Sequence, residues 1–154
     1  MTTEGLLYAL SRYDLRGFLI EPASVDPYLQ REAIRGGPNA VQSLGPLWQQ
    51  LMQVLPEWAD GIALEGTPAL HCWLWPADRV VDGAARLEAI SASAFSQRVQ
   101  ACQPQWAEQA VAEGGEAALG ALETLRQLVR LQAELRSFLQ AAAARRDAAL
   151  LYVI

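Results

Sequence analysis

The segment TPALHCWLW, residues 67–75, holds the chain's one histidine, one of its two cysteines and two of its five tryptophans. A histidine beside a cysteine invites a thiolate–imidazole pair, in which the imidazole accepts the thiol proton and leaves a nucleophile. The spacing argues against it. ALHCWLW has the period-two pattern of a strand, with Leu70, Cys72 and Leu74 on one face and His71, Trp73 and Trp75 on the other. His71 and Cys72 then point apart, and a half-buried histidine next to a structural cysteine is the expected arrangement.

Other chemistries find less support. With one histidine, and with Cys72 and Cys102 30 positions apart, there is no HxxxH or CxxC spacing to hold a metal. Neither a metal nor a cofactor is expected. A serine nucleophile would need a GxSxG elbow, which is missing. GGPNA (36–40) lacks the strand, lysine and helix of a phosphate loop and reads as a turn. Asp60, Glu65, Asp78 and Asp82 form a loose acidic rim from which nothing selects a pair for glycosidic chemistry. No catalytic residue is assigned.

The aromatics remain. Trp48 sits on the apolar face of a short helix and reads as core. Trp73 and Trp75 share a strand face with His71, either packed beneath a helix or lining a recognition groove. His71, Trp73 and Trp75 are therefore the candidate binding residues.

Several elements must position that strand. LLYAL (6–10) suits a buried strand, and Ser11 caps a following helix that carries Asp14 in its first turn and Leu15, Phe18 and Leu19 at helical spacing. A second short helix is expected from Pro27 to a stop at Gly36-Gly37. GPLWQQLMQVLP predicts a helix opened by Pro46 and ended by Pro56, with Leu47, Trp48, Leu51 and Leu55 on its apolar face. Asp78 is expected to cap a helix through Ile90, and Ser91 or Ser93 to start the next, which carries Phe95 and Val99.

QPQWAEQAVAEGGEA reads as an irregular connection around a short helix, because Pro104 and Gly114-Gly115 interrupt it. A long helix is expected over 116–146, with Leu128, Leu131, Leu135, Phe138 and Ala142 in one stripe. AALLYVI forms the closing strand. The fold class is α+β: a single domain with a small, mostly antiparallel or mixed sheet, several helices, and a long helix before the last strand.

Composition bounds the function. A length of 154 residues with 52% hydrophobic and 19% charged residues suits one folded domain. The net charge is −5 and every cation is an arginine, which disfavours nucleic acid and favours a basic partner. Two cysteines are too few for a disulfide scaffold, and MTTEGLLYAL has no basic start or cleavage site of a secretory leader. No apolar run reaches the roughly 18 residues of a membrane span. A cytoplasmic location without membrane association is expected.

The order of segments resembles the YfbM-like family, small bacterial proteins that form a domain of unknown function. LLYALSRYDLRGFLIEP is similar to the family's opening strand, polar turn and helix, and SLGPLWQQLM to its W-x-x-L helix. LWPADRVVDGAARLEAIS is similar to a Gly-Pro-rich turn with its following helix, and LRSFLQAAAARRDAALLYVI to the closing helix and strand. Met52 stands where the family often has histidine, and Trp73 and Trp75 where glycine and tyrosine are common. The resemblance implies an α+β fold and no reaction.

A non-catalytic protein that binds another protein is the functional expectation, with an immunity protein that occludes a basic bacterial toxin as its specific form. The alternatives are a small-ligand binder or enzyme using the face of His71, Trp73 and Trp75, and a structural homodimer.

Overall fold

The computed structural model describes residues 3–29, 41–67, 69–113 and 120–154. Strands β1 (Gly5–Leu10), β2 (Val41–Gly45), β3 (Ile62–Ala63), β4 (His71–Trp75) and β5 (Ala148–Val153) form one sheet in the order β2-β1-β5-β4-β3. All four of these pairings are antiparallel. Helices α1 (Arg12–Ile20), α2 (Trp48–Val54), α3 (Ala77–Glu88), α4 (Ala92–Ala112) and α5 (Ala121–Ala144) surround it. A 3-10 turn, Pro22–Ser24, leads into helical residues 25–29. The α+β class and the closing helix and strand match the sequence-based expectation.

The last strand is the hub. β5 lies between β1 and β4, and all six of its residues are buried. Ala149, Leu151 and Val153 join Leu7 and Ala9 in a large core beneath α2 to α5. Ala148, Leu150 and Tyr152 join Leu10, Cys72 and Leu74 in a second core on the opposite face, closed by Leu15 and Phe18 of α1. Burial on both faces explains why AALLYV is an unbroken apolar run. Each fully buried leucine contributes about 1.5–3 kcal/mol relative to an exposed one.

Local sequence sets several helix ends. Ser11 Oγ accepts from the Asp14 amide at 3.2 Å and donates to Asp14 Oδ2 at 2.8 Å. Tyr28 donates to the same carboxylate oxygen at 3.0 Å, tying α1 to residues 25–29. Ser91 caps α4 by accepting from the Ala94 amide at 3.1 Å. On α5 the predicted stripe of Leu128, Leu131, Leu135, Phe138 and Ala142 is buried, joined by Leu139. The helix ends in a Schellman motif: the Asp147 amide donates to the Ala142 carbonyl and the Arg146 amide to the Ala143 carbonyl, with Arg146 at φ +59°.

Other expectations need correction. Residues 103–112 continue the preceding helix instead of forming a separate short one within an irregular connection, because α4 runs straight through Pro104. The proline removes the amide that would bond the Gln100 carbonyl, but Gln100 is exposed, so water can serve that carbonyl. Tertiary bonds hold the second half: Gln103 Nε2 donates to the Ala121 carbonyl at 2.7 Å, and Trp106 Nε1 to Gln53 Oε1 at 2.6 Å. Pro76, not Asp78, is the N-cap of α3; Asp78 sits inside the first turn and makes no capping bond.

The turn after α1 becomes helical before Pro27, and the expected stop at Gly36-Gly37, like the GGPNA turn, lies outside the described residues. So does Glu116, the expected start of the long helix, whose described part ends at Ala144. Leu19 is 52% exposed, and Leu70, 61% exposed, precedes the strand instead of facing the core. Strands β2 and β3 gave no sequence signal. β3 has two residues, and VQSLG in β2 has a single fully buried position.

Candidate functional site

β4 places the three predicted residues on one face, and the structure then separates their roles. His71 is exposed, Trp73 is half-buried and Trp75 is 0% exposed. Trp75 has no surface to offer a partner, which corrects its place among the binding residues. Its ring stacks on Trp58 and its Nε1 donates to the Trp58 carbonyl at 3.0 Å. The reason is position: Trp75 pairs across the sheet with Ala149, beneath the helical layer, while His71 lies at the other end of the strand.

At that end a third ring joins. His71 and Trp73 stack with centroids 5.1 Å apart and planes 16° from parallel. Trp48 lies 5.8 Å from each of them. The sheet explains the approach. His71 pairs with Val153, and Val153 pairs with Gly5, so the three residues share one row. Trp48 covers Gly5 so closely that a Cβ there would sit 2.8 Å from Trp48 Cβ. Trp48 Nε1 also donates to Thr3 Oγ1 at 2.9 Å. The result is a fixed aromatic platform with the imidazole at its exposed rim.

Cys72 lies on the opposite face of the sheet, 4% exposed, as the strand pattern predicts. Burial first, and the nearby Asp26 carboxylate second, push its thiol up to about 12, so it stays protonated at neutral pH. It is therefore no partner for the His71 imidazole. Among the described residues no group of three or more His, Cys, Asp or Glu side chains is placed to hold a metal ion. The loose acidic rim is partly engaged with arginines: Arg86 lies 3.7 Å from Asp60, and Arg79 donates to the Asp60 carbonyl at 2.8 Å.

A groove of about 270 Å³ lies elsewhere, between β2 and α5, lined by Gln42, Leu44, Leu47, Arg130 and Glu134 among others. Gln42 Nε2 donates to Glu134 Oε2 at 2.9 Å, so the polar wall of the groove is internally bonded. No residue there was selected by sequence, because Gln42 and Glu134 are 92 positions apart and meet only through the sheet.

No family model matches the chain, and no curated protein matches its sequence. Its fold is similar to the crystal structure of YfbM from Escherichia coli, a protein of unknown function, with a TM-score of 0.67 over 98% of this chain and 99% of that one. The fold is YfbM-like. Identity is 10%, so the likeness extends to the fold and not to the role of any side chain. Within this YfbM-like fold, strand periodicity identified the face of His71 and Trp73, but not the third ring. Gly5, the glycine that Trp48 covers, opens β1 one position before the run LLYAL that reads as a strand, so its close approach to another group was not legible.

Proposed function

We propose that this YfbM-like chain is a non-catalytic protein-binding protein whose contact surface centres on Trp73 and His71. The stacked pair carries the reading. A partly exposed tryptophan on a strand, backed by Trp48, offers an aromatic contact with few rotamers left to freeze on binding. Trp75 supports the surface from within the core.

The net charge of −5 supports a basic partner, because opposite fields steer encounter. An acidic immunity protein that occludes a basic bacterial toxin is the form consistent with this charge and size. The test is to identify the partner captured by the wild-type chain from its native cell. Its affinity is then measured, as a purified protein, for wild type, Trp73→Ala and His71→Gln.

Trp73→Ala should weaken binding by about 30-fold or more, as expected of a central tryptophan, with circular dichroism confirming the fold. His71→Gln should have a smaller effect. Equal affinity for Trp73→Ala would refute the surface. A turnover that His71→Gln abolishes in a folded protein would refute the non-catalytic reading.

A further inference from the structure

Strand β2 ends the sheet on one side, and among the described residues no strand pairs with its outer edge. Backbone alternation tells which groups that edge presents. Glu4 and Ile154 exchange both of their backbone hydrogen bonds, at 2.9 and 3.0 Å. Leu6 and Tyr8 therefore also turn their amides and carbonyls toward β5, and Leu7 turns its own toward β2. Leu7 pairs with Gln42, so Gln42 bonds inward while Val41 and Ser43 direct their amides and carbonyls outward. Among the described residues no backbone group reaches them there. The Gln42 side chain covers one of these groups, its exposed Nε2 donating to the Ser43 carbonyl at 3.1 Å.

Helix α5 runs beside this edge, and two hollows lie between them. One, of about 270 Å³, is bordered by Leu44, Leu47 and Arg130, and the other, of about 440 Å³, by Ala133, Ser137 and Phe138. Gln42 and Glu134 line both. The two charges there are unequally satisfied. Glu134 accepts from Gln42 Nε2 at 2.9 Å, whereas the Arg130 guanidinium lies 3.8 Å from Glu134 and its side chain is 68% exposed. A carboxylate is the group that this hollow lacks.

We propose that the β2 edge binds an extended segment of another protein as an antiparallel sixth strand, with an acidic side chain and, two residues later, an aliphatic one facing α5. Free strand-edge amides and carbonyls are matched by an extended backbone, and every pairing in this sheet is antiparallel. The register follows from the outward groups. The residue between the acidic and aliphatic ones lies opposite Ser43 and exchanges backbone bonds with it, displacing the Gln42 amide. The acidic residue then lies opposite Leu44, at the hollow that Arg130 borders. The aliphatic one lies opposite Gln42, at the hollow of Ala133 and Phe138. A second copy of β2 would offer Gln42 and Leu44 on that face and no carboxylate, so its own sequence does not fit. The edge involves neither His71 nor Trp73, and its test is independent of theirs.

The probe is a capped, fluorescently labelled peptide, Thr-Thr-Glu-Thr-Leu-Thr, read by anisotropy with protein up to about 1 mM. It should bind with a Kd on the order of 100 µM, as suits a short edge. The reversed peptide, Thr-Leu-Thr-Glu-Thr-Thr, should bind at least about fivefold more weakly, because its carboxylate misses Arg130. N-methylation of the threonine between Glu and Leu removes the amide that meets the Ser43 carbonyl, and should abolish binding. Val41→Pro removes an outward amide at the first position of an edge strand, where proline is tolerated. It should weaken binding by about fivefold or more, with circular dichroism confirming the fold.

Arg130→Glu should cost about fivefold with the Glu peptide, and replacing Glu by Lys in the peptide should restore the affinity. A merely structural role for Arg130 would not yield that exchange. Absence of binding at about 1 mM, equal binding of the reversed or N-methylated peptide, or failure of the charge exchange would each overturn the proposal. Self-association of wild type that Val41→Pro abolishes would assign the edge to a second copy, and would overturn it as well.

Discussion

Trp75 stacks on Trp58 with ring centroids 4.3 Å apart and planes 9° from parallel, and its indole N–H bonds the Trp58 carbonyl. This pair joins the end of β4 to the turn after α2, and both rings are 0% exposed. Trp75→Ala should therefore cost about 3–5 kcal/mol, through lost burial and the cavity left behind. Urea denaturation measures it. A loss below about 1 kcal/mol would mean that the ring does not pack as described.

Gly61 reports on the same packing from outside. A Cβ there would lie 2.7 Å from Cζ2 of the Trp75 ring and 3.0 Å from Trp73 Cβ. Neither the ring nor the strand yields easily. Gly61→Ala should destabilise the fold by about 1–3 kcal/mol, read as a lowered denaturation midpoint.

Arg146 is the reverse case. It holds a left-handed φ of +59° to close α5, a conformation that costs a side chain on the order of 1 kcal/mol and costs glycine little. Its side chain is exposed, so little packing is lost on removing it. Arg146→Gly should raise stability by about 0.5–1 kcal/mol, seen as a higher melting temperature.

Arg98 of α4 clasps the turn after α2, with Nη2 2.7 Å from Glu57 Oε1 and Nη1 donating to the Val54 carbonyl at 3.2 Å. The hydrogen bond from Arg98 holds the Glu57 carboxyl below its usual range, against the opposing effect of burial. As pH falls the unfolded chain takes up this proton first. The contribution is thus full above the ordinary carboxylate pKa and fades as pH drops through the lowered folded value. Both side chains are partly exposed, which limits the pair to about 1 kcal/mol. Glu57→Gln should melt below wild type at pH 7, and the gap should narrow as pH falls below the ordinary carboxylate range.

The two thiols should behave differently. Cys72 is buried and its thiol is pushed up to about 12, whereas Cys102 is free and half-buried on α4. Alkylation of the native protein at pH 8 should label Cys102 well before Cys72. In denaturant without reductant both should react. Fewer than two reactive groups there would point to an oxidised cysteine and against a reducing compartment.

Features that depend on near neighbours are legible along the chain. Ser11 and Ser91 cap their helices because a hydroxyl reaches an amide three residues on. The leucine stripe of α5 and the apolar run of β5 are legible because burial repeats at the period of the element that carries it. Strand alternation alone set His71 apart from Cys72.

Tertiary structure decided what depends on residues far apart in the chain. Pro104 is a breaker locally, yet α4 continues because Gln103 and Trp106 bond to distant partners. β2 and β3 carry little pattern and exist because β1 and β4 offer them edges. Trp73 and Trp75 are equivalent on the strand, but one end of that strand lies under the helical layer and the other meets solvent. Depth beneath neighbouring elements is not a property of the strand's own residues, so only the assembled sheet and helices made Trp75 core and left Trp73 beside His71 at the surface.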